Sequence, residues 1–302
     1  AGEGFVVAVD RGRVTCLPNS DLDSDLPNEI TAMKSRELGK KSVVVGDIVG
    51  LVGDISGGEG TLARIVTVAP RTNALTRTVD DDAEQERMIV ANVDQMAIVI
   101  AAANPEPRHG FVDRALVVAY DQGIIPIIIM TKCDLSDGKE FLQAYKDLDI
   151  RVIKTQVKKQ KGRELEEIRE ILAGKRTVLL GHSGVGKSTL INALIPESNR
   201  ATGDVNLATG RGRHTSSSAI ALPLIDSDGW IIDTPGIRAF GLSHIDNQRI
   251  VDAFSDLSEV AANCLSNCSH AESSCKLDAW AAPEGVPNPH RTARLASLRS
   301  LL

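Results

Sequence analysis

The sequence predicts three units in series: a small all-β barrel over residues 1–71, a doubly wound α/β domain over 72–241, and a mainly helical, metal-stapled module over 242–302. Three observations carry this division. Up to Arg71, short Val/Ile-rich runs alternate with Gly, Asp, Asn and Pro, and no helical period joins them. From there to Gly241, strand-like runs alternate with helical patterns, as in a parallel sheet wound with helices on both faces. Beyond it, three cysteines and a histidine crowd into 264–275, and no strand-like run remains.

In the first unit the expected strands are Phe5–Val9, Val14–Leu17, Val43–Leu51 and Leu62–Val68, with the acidic stretch Asn19–Pro27 as a loop. In the second they are Gln95–Ala101, Ile125–Met130, Arg151–Ile153, Thr177–Leu180, Ala219–Ile225 and Trp230–Asp233, with a helix over Glu164–Leu172 among those between them. The turn signal Asp226-Ser-Asp-Gly229 joins the last two strands as a hairpin, so the sheet gains one antiparallel edge. The third unit reads as helices over Asn247–Ala262 and His290–Leu302. It is too poor in apolar residues for an independent core, a shortage that a structural metal remedies.

Composition limits the function classes. Aromatics are 3% of the 302 residues, so Val, Ile, Leu and Ala must fill the cores, as in helix-covered parallel sheets. The strongest apolar run, Ile124–Met130, contains Pro126 and falls far short of the roughly 20 residues that cross a bilayer. No membrane partner is therefore expected. No signal-peptide pattern remains, and clustered rather than spread cysteines read as a metal site in a reducing compartment, so the expected location is the cytoplasm, with an organelle reached by a cleaved leader as the alternative. Net charge is −6, shared evenly by the three units, so any RNA contact uses local patches. The densest, Lys154–Arg163 with Lys158, Lys159 and Lys161, serves equally as a solvated face.

Gly181-His182-Ser183-Gly184-Val185-Gly186-Lys187-Ser188 fits the phosphate-loop pattern, between an apolar strand and the helical run Thr189–Leu194. Its glycines let backbone N–H groups converge on phosphates at a helix N-terminus. Lys187 is placed to reach the β- and γ-phosphates and Ser188 to ligate Mg²⁺. Asp233-Thr-Pro-Gly236 ends the last strand, with Asp233 for the magnesium shell and the Gly236 N–H for the γ-phosphate. Between them the polar, Gly-rich segment Thr202–Ser217 reads as a switch loop, with Thr215 as its magnesium ligand and Ser216 and Ser217 as alternatives. Ile237 stands where a water-orienting glutamine is common, so the isolated enzyme should be slow. His214 is the candidate for that role; an RNA or phosphate contact would also explain it.

Guanine is read by [NT]-K-x-D, whose carboxylate accepts two hydrogens from the base edge. Thr131-Lys132-Cys133-Asp134 follows the strand Ile125–Met130, at the carboxyl end where ligands bind such sheets. Thr131 ties the loop and Lys132 lies across the base. Lys276-Leu277-Asp278 has the same spacing but no preceding strand, and is set aside. The motif order is therefore base-reading, phosphate loop, switch, Asp-x-x-Gly: a circularly permuted GTPase. The chain leaves this domain just past Gly236, so the cysteine-bearing module is placed to feel the nucleotide state. The loop after Arg151–Ile153 reads Lys154-Thr155-Gln156, a degenerate second base loop with no assigned contact.

Cys264-x₃-Cys268-x-His270-x₄-Cys275 offers three thiolates and one imidazole, a closed S₃N set suited to one structural Zn²⁺. Cys16 and Cys133 read as apolar fillers. Taken together, the barrel, TKxD ahead of GxSGVGKS, GRGRHT, DTPG and the Cys-Cys-His-Cys module resemble the circularly permuted small ribosomal subunit biogenesis GTPases. That resemblance implies an OB-fold barrel, GTP hydrolysis to GDP and phosphate stimulated by the small subunit late in its maturation, and release of assembly factors. Carried onto this chain, it places base reading on Thr131, Lys132 and Asp134, phosphate contacts on Gly181–Thr189, and zinc on Cys264, Cys268, His270 and Cys275. Family members usually space the zinc ligands C-x₄-C-x-H-x₅-C; both outer gaps are one residue shorter here. The first unit has one aromatic, Phe5, so rRNA contact falls to Arg11, Arg13, Arg36, Lys40 and Lys41. The expected protein is a monomer. The competing readings are an RNA-binding scaffold that keeps nucleotide as a fold cofactor, and a permuted GTPase with a non-ribosomal partner.

Overall fold

The computed structural model describes residues 1–18, 29–39, 42–78, 86–146, 148–156, 162–196, 219–224, 227–234, 242, 245–272 and 275–302. Strands β1 (Gly2–Asp10), β2 (Arg13–Pro18), β3 (Ile30–Lys34), β4 (Ile48–Gly53) and β5 (Ala63–Val68) form the N-terminal barrel. It closes through the antiparallel β1–β4 pair, and β3 lies parallel to β5. Its interior is aliphatic and small, built from Val6, Val14, Ile30, Val49, Leu51 and Ile65, with Cys16 fully buried among them.

The barrel differs from expectation in two places. Ile30–Lys34 is a strand that the flanking polar residues hide. Val43–Leu51 is not one strand: the chain turns at 44–47, and only Ile48–Gly53 pairs. Fully buried Asp47 holds that turn, accepting from Val44 N at 2.9 Å and pairing with Arg71 at 2.7 Å. At Gly46 (φ +93°) a Cβ would stand 1.9 Å from the Ala91 carbonyl, so only glycine fits. A hairpin of β6 (Ala74–Thr78) and β7 (Glu86–Ala91), likewise not anticipated, forms a separate sheet against this turn.

The α/β sheet contains β8 (Gln95–Ala101), β9 (Ile125–Thr131), β10 (Arg151–Lys154), β11 (Arg176–Leu180), β12 (Ile220–Pro223) and β13 (Trp230–Asp233), in the order β10-β9-β8-β11-β13-β12. All neighbours are parallel except β12–β13. β8 is buried along its whole length because it packs on both faces. Met96, Ile98 and Ile100 join helix α1 (His109–Asp121). Ala97, Val99 and Ala101 face α3 (Arg163–Leu172) and α4 (Lys187–Leu194). A short α2 (Lys139–Leu142) precedes β10. The antiparallel strand is no edge, contrary to the hairpin expectation. β12 meets β1 at Ala8↔Ile220, so barrel and α/β sheet are continuous. Phe5 packs edge-on against Trp230 at 5.1 Å beside this junction.

Beyond the sheet lie α5 (Asn247–Asp252), α6 (Ser255–Ala261), α7 (Lys276–Ala281) and α8 (Pro289–Arg299). The single helix expected over 247–262 breaks at Phe254, whose non-helical backbone (ψ 73°) lets its ring enter the core. Phe254, Leu257, Leu277 and Leu298 belong to the same core cluster as α1, so the module borrows a core rather than building one. Arg294 fastens it: its guanidinium lies 4.3 Å over the Phe254 ring, 2.9 Å from buried Asp113 on α1 and 3.2 Å from Asp256. The Ser297 hydroxyl also donates to Asp113.

Burial raises the pKa of Asp113, and Arg294 opposes that shift by favouring the carboxylate. Arg294→Ala leaves this charge buried without its cation. The expected loss is about 3–5 kcal/mol of unfolding free energy. Urea denaturation checks it, and Asp113→Asn combined with Arg294→Met should recover part of the loss.

Candidate functional site

Parallel strands deliver their carboxyl ends to one side, and β9, β11 and β13 each open into a sequence-predicted loop there. The phosphate loop, 181–186, joins β11 to α4. Gly184 and Gly186 have φ of +83° and +93°, which turns successive N–H groups into the loop. A Cβ on Gly181 would stand 2.7 Å from the Val99 carbonyl, so its glycine is required by the neighbouring strand. Lys187 and Ser188 start α4, and Thr189 follows.

Asp233 ends β13 beside this loop, in register with Leu179 of β11. It forms an ion pair with Lys187, both side chains being largely buried. Ser188 and Asp233 thus lie on adjoining elements, as a hydroxyl and a carboxylate for a hard cation must. The next residue, Thr234 of the same motif, donates to Leu179 O at 2.8 Å and fixes the strand end, a role the motif did not indicate.

The base-reading motif sits one strand beyond β8. The Thr131 hydroxyl donates to the carbonyl of Val185 inside the phosphate loop and to Ile100 O at 3.2 Å. The tie expected of this threonine therefore joins the two loops. Lys132, in the left-handed region at φ +56°, sends its ammonium to the Asn104 carbonyl. Asp134 is exposed at the rim. Half-buried Cys133 has its thiol pKa raised by burial, in keeping with a filler. Thr155, in the degenerate loop after β10, is buried and supports the motif from behind, accepting from Cys133 N at 3.3 Å. The His182 ring lies 4.4 Å from that of Phe111 on α1. His214, Thr215 and Gly236 lie outside the described residues, as do Lys40, Lys41, Lys158, Lys159 and Lys161. Arg11, Arg13 and Arg36 are exposed on the barrel.

The second cluster is in the C-terminal module. One donor atom from each of Cys264, Cys268, His270 and Cys275 lies within 4.8 Å of the others. Cys264 Sγ is 3.9 Å from Cys275 Sγ, which is 3.7 Å from His270 Nδ1. Ligands about 2.3 Å from a tetrahedral centre sit roughly 3.7 Å apart, so the residues fit a divalent cation that takes soft donors. The shortened gaps leave all four ligands together, helped by left-handed Asn267 and His270.

Sequence reasoning missed the residues around this cluster. Arg299 donates to His270 O at 2.7 Å and grips Asp278 with both terminal nitrogens, at 3.0 and 2.9 Å. That contact also accounts for Lys276-Leu277-Asp278: its carboxylate braces the metal loop. Cys268 donates to Glu272 at 2.9 Å, which pushes the thiol up to about 12 and holds Glu272 down to about 2. Among the described residues no helix is long and apolar enough to cross a membrane.

Comparison with known proteins adds the following. The family model for RsgA GTPase matches residues 68–243. The small ribosomal subunit biogenesis GTPase RsgA of Hahella chejuensis is 39% identical over 244 residues, 78% of this chain and 67% of the relative. That of Nitrosomonas europaea is 36% identical over 263 residues, 84% and 79% of the two chains. The crystal structure of YjeQ from Thermotoga maritima aligns with a TM-score of 0.68 at 26% identity, covering 99% of this chain and 97% of that one. The crystal structure of YloQ, a circularly permuted GTPase, aligns at 0.66 and 25%, covering 99% and 94%.

Proposed function

The chain belongs to the RsgA GTPase family, and from that premise we propose that it hydrolyses GTP on the small ribosomal subunit during late maturation and so drives release of assembly factors. The observation that carries the nucleotide part is the Thr131–Val185 bond. It couples a base-reading loop to a phosphate loop that follows it in sequence, across the β8 strand between them. The ribosomal part is supported by the names of relatives that are 39% and 36% identical to it over the aligned residues.

In this reading Asp134 accepts from the guanine edge, Lys132 covers the base, and the N–H groups of 181–189 cradle the phosphates. Lys187 exchanges Asp233 for the β- and γ-phosphate oxygens. Ser188, Asp233 and Thr215 would hold Mg²⁺, which offsets phosphate charge. By sequence position, Gly236 senses the γ-phosphate and His214 orients water. Zn²⁺ is the proposed cation of the cysteine cluster, supported by its S₃N donors and their spacing. The proposed units are residues 1–71, 72–241 and 242–302, acting as a cytoplasmic monomer; three of the five cysteines gathered with a histidine in one cluster support a reducing location. Arg11, Arg13 and Arg36 are the proposed rRNA contacts.

Steady-state GTP hydrolysis with and without purified small subunits tests the proposal. Rates well above the basal value, lost in Asp134→Ala, are expected. Tight GTP binding without stimulation overturns the ribosomal assignment and leaves the scaffold or a GTPase with a different activator.

A further inference from the structure

Three loops adjoin the proposed nucleotide site, and only two of them carry a motif. The third, residues 102–108, connects β8 to α1. It is stitched to the base-reading loop at its root, where Ala102 N donates to Thr131 O at 2.9 Å. Two residues on, the Asn104 carbonyl accepts the Lys132 ammonium. Pro105 then lies beside the phosphate loop, where a Cβ added to Gly184 would stand 3.8 Å from Pro105 Cδ. The segment thus bonds to the base-reading loop and lies beside the phosphate loop, while Asn104 and Pro105 themselves face solvent.

The Asn104 carbonyl reaches Lys132 because the Asn104 backbone is left-handed, at φ +48°. Asparagine tolerates that region better than other residues with a Cβ. Lys132 is itself left-handed, so two uncommon conformations converge on one contact. A lysine is a flexible point charge, and a fixed acceptor lowers the entropy it must lose when it settles over a base.

We propose that Asn104 is a positioning residue for nucleotide binding: its carbonyl pre-aligns Lys132, making the 102–108 loop the third wall of the guanine site. The inference rests on the GTP reading above. It assigns Asn104 no contact with the base edge, which stays with Asp134.

The test uses the full chain and a fluorescent GDP analogue, with dissociation followed by stopped flow. Alanine disfavours the left-handed conformer, so Asn104→Ala should release GDP about five- to tenfold faster. Asn104→Gly, which adopts it freely, should stay within about twofold of the parent. In a Lys132→Met background the Asn104→Ala change should alter the rate by less than about twofold, because the group it positions is gone. The ratio of GDP to IDP affinity should not move in Asn104→Ala. Should Asn104→Ala fail to fold, Pro105→Gly loosens the same loop and should show the same acceleration and the same dependence on Lys132. An unchanged rate in Asn104→Ala, or an equal acceleration with and without Lys132, overturns the inference while leaving the GTP reading intact. A parent protein that binds no GDP overturns both.

Discussion

Asp134→Asn is expected to weaken GDP binding by roughly 10²–10⁴ and to transfer preference to XDP. A carboxylate accepts both the N1–H and the exocyclic amine of guanine. A carboxamide presents one acceptor and one donor, so its NH₂ faces the guanine amine and one bond becomes a donor–donor clash. Xanthine carries a carbonyl at that position, and the amide donor then finds an acceptor. Hydrogen bonds to charged groups contribute about 1.5–3 kcal/mol each, and 1.4 kcal/mol is tenfold, which gives the range stated.

Equilibrium titration with labelled GDP and XDP reads both halves of this prediction. Asp134 is exposed, so the substitution should leave the melting temperature unchanged, and a loss of affinity cannot be ascribed to unfolding. Unchanged GDP affinity would remove base reading from 131–134. The alternative Lys276-x-Asp278 could not inherit it, since Asp278 is held by Arg299 in the C-terminal module.

The nucleotide loops were legible in the sequence because their chemistry needs particular residue types at fixed spacing. The strand–loop–helix around 181–188 and the strand before Thr131 both stand where the apolar runs place them. What escaped was structure fixed by distant partners. The turn at 44–47 depends on Asp47 meeting Arg71, and the break at Phe254 depends on a core shared with α1. Neither leaves a local period. The pairing of β12 with β1 was hidden for a related reason: a hairpin pattern shows two strands and cannot show a third from another unit. Around the cysteine cluster, the four donor residues were written in a motif, but Arg299 lies 24 residues past Cys275 and binds through geometry alone.

Removal of the metal is expected to unfold the region from the end of α6 to α7 while leaving nucleotide binding in place. Cys264 follows α6, and Cys275 caps α7 and is buried against the main core. A cation between them staples two short helices that have few apolar residues of their own. Structural zinc supplies about 10–16 kcal/mol in small metal-folded peptides, far more than such helices gain unaided. Holding three thiols and an imidazole together without it offers only weak contacts at 3.7–3.9 Å.

Treatment with a strong chelator, or Cys275→Ser, should therefore release one equivalent of zinc. It should also raise amide exchange across 262–281 by several orders of magnitude, with β8–β11 unaffected. The thiols and imidazole must lose protons to bind, so metal affinity falls as pH is lowered. α8 should respond less than α7, because Arg294 still ties it to Asp113. GDP affinity should stay within about twofold, since all four residues of the cluster lie in the C-terminal module. Full protection of 262–281 in a zinc-free protein would show that the shared core holds the module by itself, and the cluster would then need another explanation than folding.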